Sequence, residues 1–366
     1  MRILILNTSQ AYRGGIQKAA SVLADGLAGR GYAVHLASLD QPGASIFFPP
    51  GPGVAVHQLD QNHASATKLG AILRMGRTVL AIRRAVRRIR PDAVISFQGQ
   101  LSTLAALACK GVAPAIGAER THPAAYDIGR GWRQLRKRVY PWLAALVLQT
   151  RAAAQWCAGE FAVETAVIPN PVLPCAAEAA ARGGRRAVVG AGHLFSFKGF
   201  HLLLEAFILV ADRFPDWDLV VYGDGVMRPE MESRIAGCGL EGRVRLPGST
   251  GELGLRLAEA DVFALPSLME GFPNVLGEAM ACGVPAVAFD CLSGPADIIR
   301  HGEDGFLVPV GDVAGMADRL AELMGDDDLR ARFGARAREV SDRFSLDMVL
   351  DRWEALLRRV SVGSVR

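Results

Sequence analysis

Hydrophobic and polar positions along the first 170 residues alternate between short apolar runs and longer amphipathic stretches. Met1-Arg2-Ile3-Leu4-Ile5-Leu6 opens on a run too brief for a signal-peptide core, and a buried strand is predicted over residues 2–7. Gly14-Gly15 begins a helix that runs to about Arg30, where Gly31 ends it, and 33–38 returns to strand. A second helix covers 72–90, stopped by Pro91, with strands expected at 93–96, 115–118 and 145–148. This alternation describes parallel βαβ units.

Ile168-Pro169-Asn170-Pro171 breaks the pattern, and a small-residue stretch with Gly183-Gly184 follows, which marks a linker. Afterwards the alternation restarts. Strands are expected at 187–190, 218–222, 244–246, 262–265 and 286–289, with helices at 200–213, 229–236, 251–260 and 274–282 between them. The predicted fold is therefore α/β, two Rossmann-like, doubly wound domains in tandem. The first spans 1–170 and the second 171–342, while an amphipathic segment over 343–366, with Met348, Leu350, Trp353 and Leu356 apolar, folds back on the first. Such sheets bind ligands beyond their strands' carboxyl ends, so the cleft between domains is the expected site.

Composition changes this picture in two places. Residues 1–170 hold 20 Lys and Arg against 8 Asp and Glu, net +12, whereas 171–366 hold 21 against 29, net −8. The first domain thus expects an anionic partner. Its charge is concentrated on the 72–90 helix, which carries Arg83, Arg84, Arg87 and Arg88, and on Arg133, Arg136, Lys137 and Arg138 beside Trp132 and Trp142. Arginines, an apolar stripe and interfacial aromatics together suit a helix lying on an anionic membrane, and nothing matches a nucleic-acid module. With no apolar run near the 18–20 residues of a span, the expected location is the cytoplasm, peripheral on the membrane's inner face. The six cysteines are scattered, without C-x-x-C spacing, and are expected to be reduced, buried thiols.

The densest chemistry runs from Leu265 to Gly283, with Glu270 and Glu278 eight residues apart. A strand ends, a Gly/Pro loop follows, and a helix begins at Pro273 or Asn274. The N–H groups of Phe272, Asn274 and Val275 at that helix start suit a diphosphate. Glu278 lies one turn beyond Asn274 on the same face. Two carboxylates beside an anion site repel further anions but accept hydrogen bonds from sugar and ribose hydroxyls.

The block E-G-F-P-N-V-L-G-E-A-M-A-C-G-V-P resembles the E-x7-E motif of retaining GT-B glycosyltransferases, family 4. The likeness extends to Gly14-Gly15, to the run Gly192 to Gly199, and to Asp304-Gly305-Phe306-Leu307-Val308. It implies that Glu278 holds the donor ribose and that Glu270, with Gly271, Phe272 and Pro273 around it, meets the donor sugar. The family's Arg and Lys, about six residues apart, neutralise the leaving diphosphate. Here Lys198 matches the Lys, and His193 stands where the Arg is expected, so Lys198 carries more of the charge. Retention then needs no protein nucleophile, because the departing phosphate takes the acceptor proton.

His122, in Glu119-Arg120-Thr121-His122-Pro123, is a candidate contact at the reacting centre, with Glu119 and Arg120 as alternatives. Asp216-Trp217-Asp218 matches a D-x-D metal motif but sits in a turn after Phe214-Pro215, and no metal or other cofactor is expected. Gly14-Gly15 lacks G-x-G-x-x-G, which argues against NAD, and is read as a close approach to donor phosphate or acceptor. The run Cys291 to Ile299 resembles family members that transfer galactose or N-acetylhexosamines in surface-polysaccharide assembly, which leans the donor towards UDP. The expected reaction moves a hexose or N-acetylhexosamine from a nucleotide sugar to a lipid-linked saccharide, lipopolysaccharide or exopolysaccharide precursor. The alternatives are a GT-B epimerase of UDP-N-acetylglucosamine and a non-catalytic sugar-nucleotide-binding scaffold.

Overall fold

A computed structural model describes residues 1–12, 14–62, 67–124, 128–176 and 185–362. The chain divides into two units, one of Met1–Asn170 with Leu346–Arg366 and one of Pro171–Ser345. The first follows the order β1 (Arg2–Asn7), α1 (Gly15–Gly29), β2 (Ala33–Ser38), β3 (Val54–Gln58), α2 (Lys68–Ile89), β4 (Ala93–Phe97), α3 (Gly99–Cys109), β5 (Ala115–Ala118), α4 (Arg130–Val139), β6 (Ala145–Leu148), α5 (Arg151–Glu160) and β7 (Thr165–Val167). Its seven strands are all parallel, in the order β3-β2-β1-β4-β5-β6-β7. β1, β4, β5 and β6 are apolar almost throughout because helices cover both faces, and the two resulting cores lie on either side of the sheet.

The second unit runs β8 (Arg186–Ala191), α6 (Phe200–Val210), β9 (Trp217–Tyr222), α7 (Arg228–Gly237), β10 (Val244–Gly248), α8 (Leu253–Ala258), β11 (Val262–Leu265), α9 (Asn274–Ala281), β12 (Ala286–Phe289), α10 (Pro295–Ile298), β13 (Gly305–Val308), α11 (Val313–Gly325), α12 (Asp327–Ala337) and α13 (Val340–Arg343). Its six strands order β10-β9-β8-β11-β12-β13, again parallel. In both sheets the order reverses at the first strand, the doubly wound arrangement expected from the alternation. The last helix, α14 (Leu346–Val362), belongs to the first unit. Val349, Leu350, Trp353, Leu356 and Leu357 join the core under β1 and α1, and Arg30 of α1 pairs with Asp351 at 2.5 Å and Asp347 at 3.0 Å.

Gly183-Gly184 lies outside the described residues, and two expectations change. Cys175 and Cys282 form a disulfide, while Cys109, Cys157, Cys238 and Cys291 are free thiols. This corrects the expectation of six reduced thiols, and the bridge ties the start of the second unit to the C-cap of α9 across 107 residues.

The second correction concerns the basic cluster. Arg136 is not on the surface: it is 4% exposed, and its Nη2 pairs with Glu119 Oε1 at 2.6 Å. Tyr140 donates to the same oxygen at 2.5 Å. Burial is the largest single influence and pulls the Arg136 pKa down, but the Glu119 carboxylate and the Tyr140 oxygen together outweigh it and hold the guanidinium above its ordinary value. Burial, then Glu119, raises the Tyr140 phenol well above its usual range, so it stays a donor. Arg83 is half-buried and caps the end of α3, donating to Ala108 O at 2.9 Å and Lys110 O at 3.1 Å. Arg84, Arg87, Arg88, Arg133 and Arg138 remain exposed, as does Lys137, which pairs with Glu160 at 2.6 Å.

Candidate active site

The carboxyl ends of β8 and β11 in the second unit bring together residues 72 positions apart. After β8 the chain turns through a short 3-10 segment, Ser196–Lys198, into Gly199, whose φ of 69° starts α6. A β-carbon at Gly199 would lie 1.9 Å from Pro266 O, so only glycine lets this turn press against the end of β11. Leu268 N donates to Phe197 O at 2.9 Å and fastens the loop beyond β11 to the turn. Lys198 Nζ and Glu270 Oε1 meet as a result at 2.6 Å, with their side chains 22% and 10% exposed.

α9 then starts at Asn274 with Pro273 as its N-cap, and its first intrahelical donor is Leu276 N, bonded to Pro273 O at 3.0 Å. Asn274, Val275 and Glu278 are half-buried, while Leu276, Gly277, Ala279, Met280 and Ala281 are buried. The 3.6-residue period therefore places Asn274 and Glu278 on the face that the core does not cover, as their spacing predicts. Phe272 is buried against Phe344 and anchors the loop, so its side chain belongs to the core.

Sequence reasoning misses a second support. Cys291, Ser293 and Gly294 follow β12 and brace the Glu270 loop. Ser293 Oγ donates to Gly271 O at 3.0 Å, and Gly294, at φ 108°, passes so near that a β-carbon would lie 2.6 Å from Pro273 Cδ. Burial, followed by the Glu270 charge, pushes the Cys291 thiol up to about 11, so it stays neutral beside the carboxylate. Phe195 and Phe197 are missed as well. With His193 they form a ladder of rings at centroid spacings of 5.7 and 5.8 Å, exposed beside Lys198. The i, i+2 spacing of the three rings is the signal that could have found them. Aromatic faces at a polar site suit stacking on a base or a sugar.

Other predicted residues sit on other elements of the two units. Gly14 is extended, at φ −158°, and precedes α1 at Gly15; neither uses a left-handed backbone. His122 is 2% exposed and packs on Trp156. Its Nδ1 accepts from Ala124 N at 3.2 Å, and the ring also bonds the Ala152 backbone. Burial lowers the pKa of this imidazole. Asp218 of D-x-D is buried at the amino end of β9, paired with Arg185 at 2.7 Å and Arg245 at 3.1 Å. Among the described residues no group of three or more His, Cys, Asp or Glu side chains is placed to hold a metal.

Known proteins share this construction. The family model for glycosyltransferase family 4 matches residues 13–174, and that for glycosyl transferases group 1 matches 176–340. An exopolysaccharide phosphotransferase of Streptomyces coelicolor is 35% identical over 279 residues, 75% of this chain; the chain spans 29% of that relative's length. The amylovoran biosynthesis glycosyltransferase AmsD of Erwinia amylovora is 26% identical over 97% of this chain and 99% of its own. The crystal structure of Anabaena HepE in complex with UDP superposes with a TM-score of 0.78 at 19% identity, covering 98% of this chain and all of that one. Two parallel Rossmann-like units, the two matching models and the Glu270–Glu278 block agree: the chain belongs to the glycosyltransferases of family 4, with the GT-B fold.

Proposed function

We propose that the protein is a retaining glycosyltransferase that moves a hexose or N-acetylhexosamine from a UDP-sugar to a saccharide of an exopolysaccharide or lipopolysaccharide precursor. The observation that carries this reading is the 2.6 Å Lys198–Glu270 pair beside the uncovered Asn274–Glu278 face of α9. Glu278 accepts hydrogen bonds from ribose hydroxyls, and Glu270 holds the donor sugar. Lys198 and the amides at the start of α9 stabilise the diphosphate as it leaves. In the transfer the bond from the sugar's anomeric carbon to the phosphate oxygen breaks. The acceptor oxygen bonds to that carbon from the same face, and its proton passes to the departing phosphate. Lys198 supplies the positive charge, so the reading requires no metal.

The UDP bound in the HepE structure and the polysaccharide names of the relatives support the donor and acceptor classes. Thermal shift with UDP-, GDP- and ADP-sugars tests the donor. A UDP-sugar is expected to raise Tm and to release UDP slowly in EDTA; no response to any UDP-sugar would overturn the reading.

We further propose a lipid-linked acceptor met at an anionic membrane. α2 splits along its length: Ile82, Val86 and Ile89 are buried, but Leu69, Ile72, Leu73 and Leu80 are at least 54% exposed among arginines. A cavity of about 400 Å³ opens beside them, lined by Ile72, Met75, Leu101, Leu104, Trp132 and Leu135. Among the described residues no helix is long and apolar enough to cross a membrane, so surface docking is the mode considered. Co-flotation with liposomes containing anionic lipid, lost in Leu73→Glu/Leu80→Glu, is the expected result. Absence of binding at moderate salt would reject it.

A further inference from the structure

Among the described residues, the carboxyl edge of the first sheet holds a cation without a counter-ion. Arg120 lies two residues beyond β5, with its guanidinium over the Phe97 ring at 4.1 Å and Nη1 donating to Asn170 Oδ1 at 2.8 Å. Its Nε is buried and has no acceptor, and among the described residues no carboxylate pairs with it. Burial lowers its pKa to about 9. Arg136, belonging to α4 and reaching the same edge, shows the usual remedy, since Glu119 neutralises it.

Unsatisfied hydrogen-bonding groups surround that edge. Asn7 ends β1, Gln10 follows it, and Gln149 follows β6; none is more than 5% exposed. Asn7 Nδ2, both amide atoms of Gln10 and Gln149 Oε1 have no partner among the described residues. Gln98, just past β4, takes a φ of 80°, strained for a residue with a β-carbon, and its Oε1 accepts from Thr8 Oγ1 at 2.6 Å. An unpaired buried group is costly, and a fold keeps several at one edge where a ligand completes them. From β1 to β6 is three strand spacings, roughly 14 Å, which is the reach of an oligosaccharide and not of a single ion.

We propose that Arg120 is the oxyanion-binding residue of the acceptor site. It takes a carboxylate or phosphate carried by the acceptor saccharide. The planar guanidinium fork suits either anion. This rests on the transferase reading, and its test is kept separate from the donor site.

Phosphate and glucuronate are titrated separately, in saturating UDP, with Tm as the readout. The wild type is expected to show a saturable rise with at least one anion, and the one that saturates at lower concentration names the acceptor's group. Arg120→Met should raise the half-saturating concentration at least tenfold, and Arg120→Lys by less. Because the guanidinium has no counter-ion among the described residues, Arg120→Met should leave the anion-free Tm unchanged or higher. No saturable shift in the wild type, retention of the shift in Arg120→Met, or a marked fall in its anion-free Tm would each overturn the assignment. Failure of the wild type to bind UDP would count against the donor reading alone, since the same titration without UDP still compares wild type with Arg120→Met.

Discussion

Lys198→Ala is expected to lower kcat by about 10²–10³-fold while changing donor affinity less than tenfold, the range seen when one preorganised donor to a developing anion is removed. The reason lies in where Lys198 directs its charge. In the free protein it pairs with Glu270 at 2.6 Å, so part of its charge is already neutralised. A ground-state diphosphate must share it with the carboxylate and gains little. As the bond to the anomeric carbon stretches, negative charge grows on the leaving phosphate, and the same ammonium then gains more from the phosphate than from Glu270. The substitution therefore acts mainly on the chemical step. Glu270→Gln separates the two roles of the pair: it frees Lys198 for the diphosphate, so donor affinity should hold or rise while kcat falls. Steady-state rates with a UDP-sugar, alongside UDP binding by calorimetry, distinguish these outcomes. An unchanged kcat in Lys198→Ala would remove Lys198 from the mechanism. His193 is exposed and packs at a tilt on Phe195, which leaves Lys198 as the cation fixed against the Glu270 loop.

Much of the frame around this pair is legible in the amino-acid sequence. β1, β2, β5, β6, β11 and β12 fall where their apolar runs place them, because strands covered on both faces need uninterrupted hydrophobicity. β3 escapes that pattern: Val54–Gln58 ends in His57 and Gln58, and it sits at the sheet edge, where only one side is paired. α3 escapes for the opposite reason. Eight of its eleven residues are buried, so it carries no polar face to reveal a helical period. The Glu270–Glu278 block is readable because loop, helix start and both carboxylates are contiguous. Its braces are not, since Gly199 against Pro266 and Ser293 against Gly271 are contacts between distant segments. Cys175 and Cys282 likewise carry no spacing signal across 107 residues. Charge misleads at one position. In Arg133-Gln134-Leu135-Arg136-Lys137-Arg138 every cation looks solvated, and only the helix phase separates Arg136, near buried Val139, from its exposed neighbours.

Arg136 also carries the second large effect. Arg136→Met is expected to destabilise the first unit by about 3–5 kcal/mol, because it leaves Glu119 buried without its cation. Glu119 is 7% exposed and then keeps only the Tyr140 hydroxyl, at 2.5 Å. A carboxylate so placed bears its desolvation cost, which lowers stability. For a unit of this size the Tm should drop by roughly 6–20 °C at pH 7. Arg136→Met/Glu119→Leu removes both charges and should recover most of the loss, as replacement of a buried pair by apolar side chains often does. If Arg136 instead lay on a membrane-facing surface, the single substitution would barely move Tm, and the double would be no better. Thermal melts of the three proteins at pH 7 separate the two cases, and they also bear on Arg120. A guanidinium at the same sheet edge whose removal costs nothing, beside one whose removal costs several kcal/mol, marks Arg136 as structural and leaves Arg120 for the ligand.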